Sequence, residues 1–253
     1  MRIEHTIMEA LDLSKLAYKD KHDAEYALMI SHDLIHYISL PTVDVQGFVC
    51  TQGKDTWVVI RGTEIDNIAD WETNFDFAKT ISGWGEVHKG YHIDGKCTIH
   101  NIEQILRDTS DRGDRVIFTG HSQGAAVALQ MFATFMNWNS GHKAICIPIE
   151  APRSFSKEAA KLFGNSHGSK IYPVIHNNDI IHNIPPRCMD YAHVSNTNLQ
   201  YIDRKGKVHH KISKWNRFKD SMLGYIRSWS KLKLDSLSDH SISNIRDIWR
   251  KQL

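Results

Sequence analysis

The sequence predicts an α/β fold with a mostly parallel central sheet flanked by helices. Two observations carry this. Apolar strand-like runs alternate with helical patterns along the second half of the chain. The run "RVIFTG" also passes directly into "HSQGAAVALQMFATFMNW", so a buried strand feeds a long apolar helix. The 253 residues and 41% hydrophobic composition can bury a substantial core. No internal repeat or low-complexity segment divides the chain, and a single domain over 1–253 is expected.

Taken in order, residues 3 to 18 place Ile7, Leu11, Leu16 and Tyr18 at roughly helical spacing. "GFVCTQGKDTWVVIRG" reads as two strands around a Gly-Lys-Asp turn, a hairpin. "TIHNIEQILRDTS" carries Ile99, Ile102, Ile105 and Leu106 on one helical face. Beyond the long helix come the strand-like runs "KAICIPIE" and "KIYPVIH", then the pair "NLQYID" and "GKVHH". Helical patterns follow near 214 to 230 and 240 to 250. The stretch from about 64 to 95 has the least pattern and is too long for a routine connection, which points to a functional loop. Within 64–80, Ile65, Ile68, Trp71 and Phe75 recur at intervals of three and four, the apolar face of a lid or of a short core helix.

Composition excludes several classes. The net charge of +2 and the lack of a long run of like charge argue against a nucleic-acid binder. No stretch approaches the roughly 18 apolar residues of a membrane span. "MRIEHTIMEALDLSKLAYKD" interrupts its apolar residues with acids and lysines, unlike a Sec signal, so a cytoplasmic protein or one released by another route is expected. Cys50, Cys97, Cys146 and Cys188 are widely spaced and form no C-x-x-C pair, which favours free thiols over a disulfide framework. Residues 204 to 233 are rich in Lys and Arg and carry Trp215, Phe218, Tyr225 and Trp229. This is the composition either of a helix with solvated lysines or of one in peripheral contact with an anionic membrane surface.

The chemistry centres on Gly120-His121-Ser122-Gln123-Gly124, placed between strand and helix. A serine hydroxyl is a weak nucleophile until an imidazole takes its proton and N–H donors hold the oxyanion. Such a turn exposes the hydroxyl, its glycines let strand and helix close up, and the helix aims its first amides at the developing charge.

Five blocks in order resemble the class 3 lipases, the fungal-type triacylglycerol lipase branch of the α/β hydrolases. "TWVVIRGTE" is similar to the family's strand ending in Arg-Gly-Ser/Thr, "VHKGYH" to its Val-His-x-Gly-Phe block, and "VIFTGHSQGAAVALQ" to its nucleophile elbow. "APRSFS" resembles the Pro-Arg loop and "YPVIHNNDIIHNIPP" the Asn-x-Asp-Ile-Val segment, while "LSDHSISNI" resembles a late Asp-His motif. Gln123 stands where leucine is usual, Ala125 where glycine is, and Ile245 where an aromatic residue is common. The resemblance implies an α/β-hydrolase fold, with Ser122 as nucleophile, Asp179 as the acid that orients the imidazole and His240 as general base, in the chain order this fold uses. It implies an oxyanion hole from Thr63 and the main chain of Gln123, an acyl-enzyme, a lipid or other ester substrate, and no metal or organic cofactor.

Rivals remain at this stage. Asp190 and Asp203 are alternative acids, and His193 in "DYAHVS" competes for the base. His176 and His182 have a spacing that fits no zinc motif. The expected function is a serine carboxylic-ester hydrolase acting on triacylglycerol or phospholipid. A non-catalytic lipase-like binder of lipid or a partner, and a soluble small-ester esterase, are the competing readings.

Overall fold

The computed structural model describes residues 3–63, 76–111, 113–138, 143–177, 179, 181–194, 198–210, 212, 213, 215, 216, 220 and 240–253. The chain begins with helices α1 (Ile3–Leu16) and α2 (Lys21–Leu28), then strands β1 (Asp33–Leu40), β2 (Val45–Gln52) and β3 (Asp55–Ile60). A hairpin of β4 (Lys79–Ser82) and β5 (Gly85–His88) precedes α3 (Lys89–Asn101) and α4 (Glu103–Asp111). Strand β6 (Arg115–His121), helix α5 (Gln123–Trp138) and strand β7 (Ala144–Ile149) form the centre. Then come β8 (Phe155–Ser156), α6 (Lys157–His167), β9 (Val174–His176), β10 (Tyr191–Ala192), β11 (Gln200–Ile202), β12 (Val208–His209) and α7 (Ile242–Arg250).

Eight strands make one sheet in the order β1-β2-β3-β6-β7-β9-β11-β12. Its middle, from β3 through β11, is parallel, and antiparallel strands close both edges. Every residue of β6 after Arg115 is buried, because helices cover both faces of the sheet. On one face Val58, Val116 and Phe118 pack with Val127, Met131 and Phe132 of α5. On the other, Trp57, Val59 and Ile117 pack with Ile7 and Leu11 of α1 and with Ile245 and Trp249 of α7. The mostly parallel sheet with flanking helices, and the β2–β3 hairpin, therefore match the sequence expectation.

Three elements differ from it. The helix expected over "TIHNIEQILRDTS" is two helices, breaking at Ile102, whose φ of -106° and ψ of 11° leave the helical region. Both pieces still bury Ile99, Ile102 and Leu106 on one side. The stretch read as unpatterned contains β4, β5 and most of the first turns of α3. Trp84 fastens the hairpin by donating Nε1–H to the Ala133 carbonyl at 3.0 Å, and His88 caps α3 by accepting from the Tyr91 N–H at 3.4 Å. Strands β4 and β5 join β8 and β10 in a second, four-stranded sheet, so Lys79 and Thr80 of the expected 64–80 lid are strand residues. The remaining apolar face of that lid, Ile65 to Phe75, lies outside the described residues, as does most of the basic segment 204–233. No helix among the described residues is long and apolar enough to cross a membrane. All four cysteines are free, Cys50 and Cys146 being buried and Cys97 and Cys188 exposed.

Candidate active site

The parallel strands deliver their carboxyl ends to one edge of the sheet, where this architecture places its ligand sites. Gly120 pairs with Ile60 on one side and Pro148 on the other, and Ile149 pairs with Val174, so the segments following β3, β6, β7 and β9 emerge together. Thr63, Ser122, Glu150 and Asp179 lie in those segments.

Ser122 sits at the turn from β6 into α5 with φ of 57°, a left-handed backbone that an L-residue adopts only under constraint. The constraint is visible on both sides. Its N–H donates to the Ile149 carbonyl at 2.9 Å, and its own carbonyl accepts from Ala125 at 3.0 Å as α5 begins. Gly120 and Gly124 make the turn sterically feasible. A Cβ on Gly124 would stand 2.5 Å from the Arg61 and Ile60 carbonyl oxygens, and one on Gly120 would stand 2.7 Å from Gly124. The Ser122 side chain is fully buried, and its Oγ makes no hydrogen bond with any described residue.

His240, just before α7, donates Nδ1–H to Asp179 Oδ2 at 2.8 Å, leaving Nε2 without a hydrogen bond among the described residues. Burial alone would raise the Asp179 carboxyl. The facing His240 imidazole, a hydrogen bond from the Ile181 N–H at 2.9 Å and one with Glu150 outweigh burial and hold it below the usual carboxylate range. His121 locks His240 from behind. Its Nε2–H donates to the His240 carbonyl at 2.8 Å, and its Nδ1 accepts from the Tyr18 hydroxyl at 2.8 Å. Burial, with His240 adding to it, pushes His121 down to about 3, which keeps the ring neutral and this tautomer in place.

Thr63 and Gln123 meet across the mouth of a cavity of about 150 Å³, lined also by Arg61, Val127 and Gln46. The Thr63 hydroxyl donates to Gln123 Oε1 at 2.7 Å, so the unusual Gln123 side chain is turned toward Thr63.

The rivals are engaged elsewhere. His193 donates Nε2–H to the His182 carbonyl at 2.7 Å and stacks on His182 with ring centroids 3.7 Å apart. Asp190 pairs with Lys79 at 3.1 Å, and Asp203 bonds His209 at 2.8 Å. Among the described residues the group whose atoms could hold a metal is Glu150, Asp179 and His240, within 4.8 Å of one another, and it includes neither His176 nor His182.

Sequence reasoning gave Tyr18 and Glu150 no place in the site and met Arg153 only as part of the Pro-Arg loop. Tyr18 lies 103 positions from His121, with no local signal. Arg153 donates to the Pro185 carbonyl at 2.7 Å and to Asn183 Oδ1 at 3.1 Å, fastening the loop after Asp179 to the Pro-Arg segment. Glu150 is fully buried with φ of 51°, and one signal could have found it, a lone acid ending the otherwise apolar strand "KAICIPIE".

Residues 57–189, more than half of the chain, match the lipase (class 3) family. The fold is shared with a mono- and diacylglycerol lipase from Aspergillus oryzae, 21% identical, with a TM-score of 0.65 over 83% of this chain and 86% of that one. It is also shared with a lipase from Rhizopus microsporus var. chinensis, 20% identical, with a TM-score of 0.69 over 79% and 74%. A third relative in fold is a triacylglycerol lipase whose catalytic centre is formed by a serine protease triad, 20% identical, with a TM-score of 0.66 over 81% and 82%. The chain thus belongs to the class 3 lipase family and is a serine carboxylic-ester hydrolase acting on lipid esters.

Proposed function

We propose that the protein cleaves triacylglycerol or phospholipid esters through an acyl-enzyme built on Ser122. Ser122 Oγ attacks the ester carbonyl carbon while His240 Nε2 takes its proton, and Asp179 stabilises the imidazolium that forms. The backbone N–H groups of Thr63 and Gln123 hold the oxyanion, and the Thr63–Gln123 side-chain bond fixes their segments beside one another. His240 then returns the proton to the leaving alcohol oxygen. Water, deprotonated by the same imidazole, attacks the acyl-serine and releases the fatty acid. The observation that carries this reading is the 2.8 Å bond from His240 Nδ1–H to buried Asp179, at the strand edge where the left-handed Ser122 turn emerges.

The test uses vesicles containing both triacylglycerol and phospholipid, with products separated by class. Wild type is expected to release fatty acid, and Ser122→Ala to lose at least about 10³-fold of that rate. Only wild type is expected to be labelled covalently by a fluorophosphonate. Full activity in Ser122→Ala would overturn the mechanism, and the product class identifies the substrate.

A further inference from the structure

Glu150 is a buried acid that the mechanism above leaves without work. It directly follows β7 in a left-handed conformation, φ 51°, beside the elbow strand. Its backbone N–H donates to the Val174 carbonyl at 2.9 Å. Its Oε1 accepts the N–H of His176. A carboxylate oxygen of Glu150 lies within 4.8 Å of one of Asp179 and of a ring nitrogen of His240, all three side chains being buried. A bulky acid held in this backbone region at a reacting centre needs a reason, and strain of this kind gathers where function requires it.

Charge supplies the reason. Two ionised carboxylates facing one neutral imidazole in a buried cluster repel each other and lack solvation, so one keeps a proton. Asp179 already accepts from His240 Nδ1–H at 2.8 Å and from the Ile181 N–H at 2.9 Å, which makes its oxygens poor sites for that proton. Glu150, whose Oε1 meets the His176 N–H, is left as the partner that carries it. We propose that Glu150 is a protonated carboxylic acid that donates a hydrogen bond to Asp179, making it a positioning residue that extends the Ser122–His240–Asp179 line by one member. The proton stays on Glu150 throughout. A hydrogen bond with Glu150 is among the causes that hold the Asp179 carboxyl down, as this arrangement requires. Titratable residues that meet the pair include His176 at the end of β9, and His240 and His121 on the elbow side.

The consequence is that Asp179 stays anionic and aimed at His240 without becoming basic enough to take the imidazolium proton. This role rests on the serine-hydrolase reading, but the protonation state of Glu150 does not. Glu150→Gln keeps an N–H donor and an acceptor oxygen, and is expected to hold kcat within about threefold of wild type with the acid limb of kcat/KM unmoved. Glu150→Met removes the donor. The Asp179–His240 pair then holds its proton more tightly, and the acid limb is expected to move up by about one pH unit while kcat falls about tenfold and KM stays. A downward move of the limb in Glu150→Gln would mean that Glu150 is charged and would overturn the proposal. So would a Glu150→Met profile coincident with wild type, or loss of activity on chelation restored by zinc.

A second measurement needs no variant to fold. In wild-type protein carrying ¹³C-carboxyl glutamate, one signal is expected at the protonated position at pH 7. A full set of carboxylate signals would sink the proposal. This readout is independent of turnover, so activity persisting in Ser122→Ala would remove the mechanism while leaving the Glu150 result standing.

Discussion

At Asp179, the number of donors aimed at one carboxylate decides its charge. Burial by itself favours the neutral acid, which in the proposed mechanism could not stabilise an imidazolium. The imidazole, the Ile181 N–H and Glu150 reverse that preference. The setting of the rivals is different: His193 donates to the His182 carbonyl and Asp190 pairs with Lys79. Asp179→Ala and His240→Ala are each expected to lower kcat by about 10³-fold or more. His193→Ala, which removes the bond to the His182 carbonyl and the stack on His182, is expected to cost about 1–2 kcal/mol of stability and to leave kcat within a few-fold. Steady-state kinetics on all three decides it, and a loss in His193→Ala equal to that in His240→Ala would reassign the base. The same scale accounts for the backbone. Ser122, Glu150 and Asn177 follow β6, β7 and β9 with φ of 57°, 51° and 27°. Each such residue costs of order 1–3 kcal/mol, which the packed strands beneath must offset.

At the scale of elements, the site depends on how closely α5 approaches β3 and β6. The helix begins immediately at the elbow, and its residues from Gly124 to Ala133 are all buried. Its small residues, Gly124, Ala125, Ala126 and Ala128, let its axis lie tight against the sheet. Gly124→Ala would drive a Cβ to 2.5 Å from two backbone oxygens, those of Ile60 at the end of β3 and of Arg61 just after it, which cannot rotate away as a side chain would. The expected cost is about 1–3 kcal/mol, read as a lower urea midpoint with an unchanged m-value. Activity should fall with it, because the displaced backbone is that of Gln123. The long apolar run of α5 and the buried strand before it were legible because periodicity and hydropathy are local properties. The β4–β5 hairpin was not. Its strands are four residues each with partly exposed faces, and what secures them is Trp84 against Phe163 and His167, contacts far away in sequence.

For the molecule as a whole, buried histidines set the response to acid. Burial holds His88 down to about 4 and His121 down to about 3. In the unfolded chain both would titrate near 6.5, so between that pH and the folded values the unfolded state binds more protons. Stability is therefore full above about pH 6.5 and declines below it, by about 1.4 kcal/mol per pH unit for each histidine. Asp94 opposes this in part, since burial and neighbouring Asp44 push it up to about 6, but its exposed fraction screens its effect. Thermal melts at pH 7, 5.5 and 4.5 are expected to show a falling Tm. A His121→Gln variant should show a shallower fall. A Tm that rises on acidification would contradict the neutral assignment of both rings.

The layer architecture and the strand–turn–helix at Ser122 were legible in the sequence, because hydrophobic period and turn chemistry act over a few residues and survive without knowledge of the partners, and the family was legible through the resemblance of its ordered blocks. Which carboxylate meets which imidazole was decided only by the tertiary structure. Asp179 and His240 lie 61 positions apart, and Tyr18 and His121 lie 103 apart. They meet because packing on both faces sets the strand order β3-β6-β7-β9 and seats α7 beside α1. Glu150 belongs to the same class: an acid at the end of a strand has no partner in the sequence, and it acquires Asp179 as a neighbour only when β7 and β9 lie side by side.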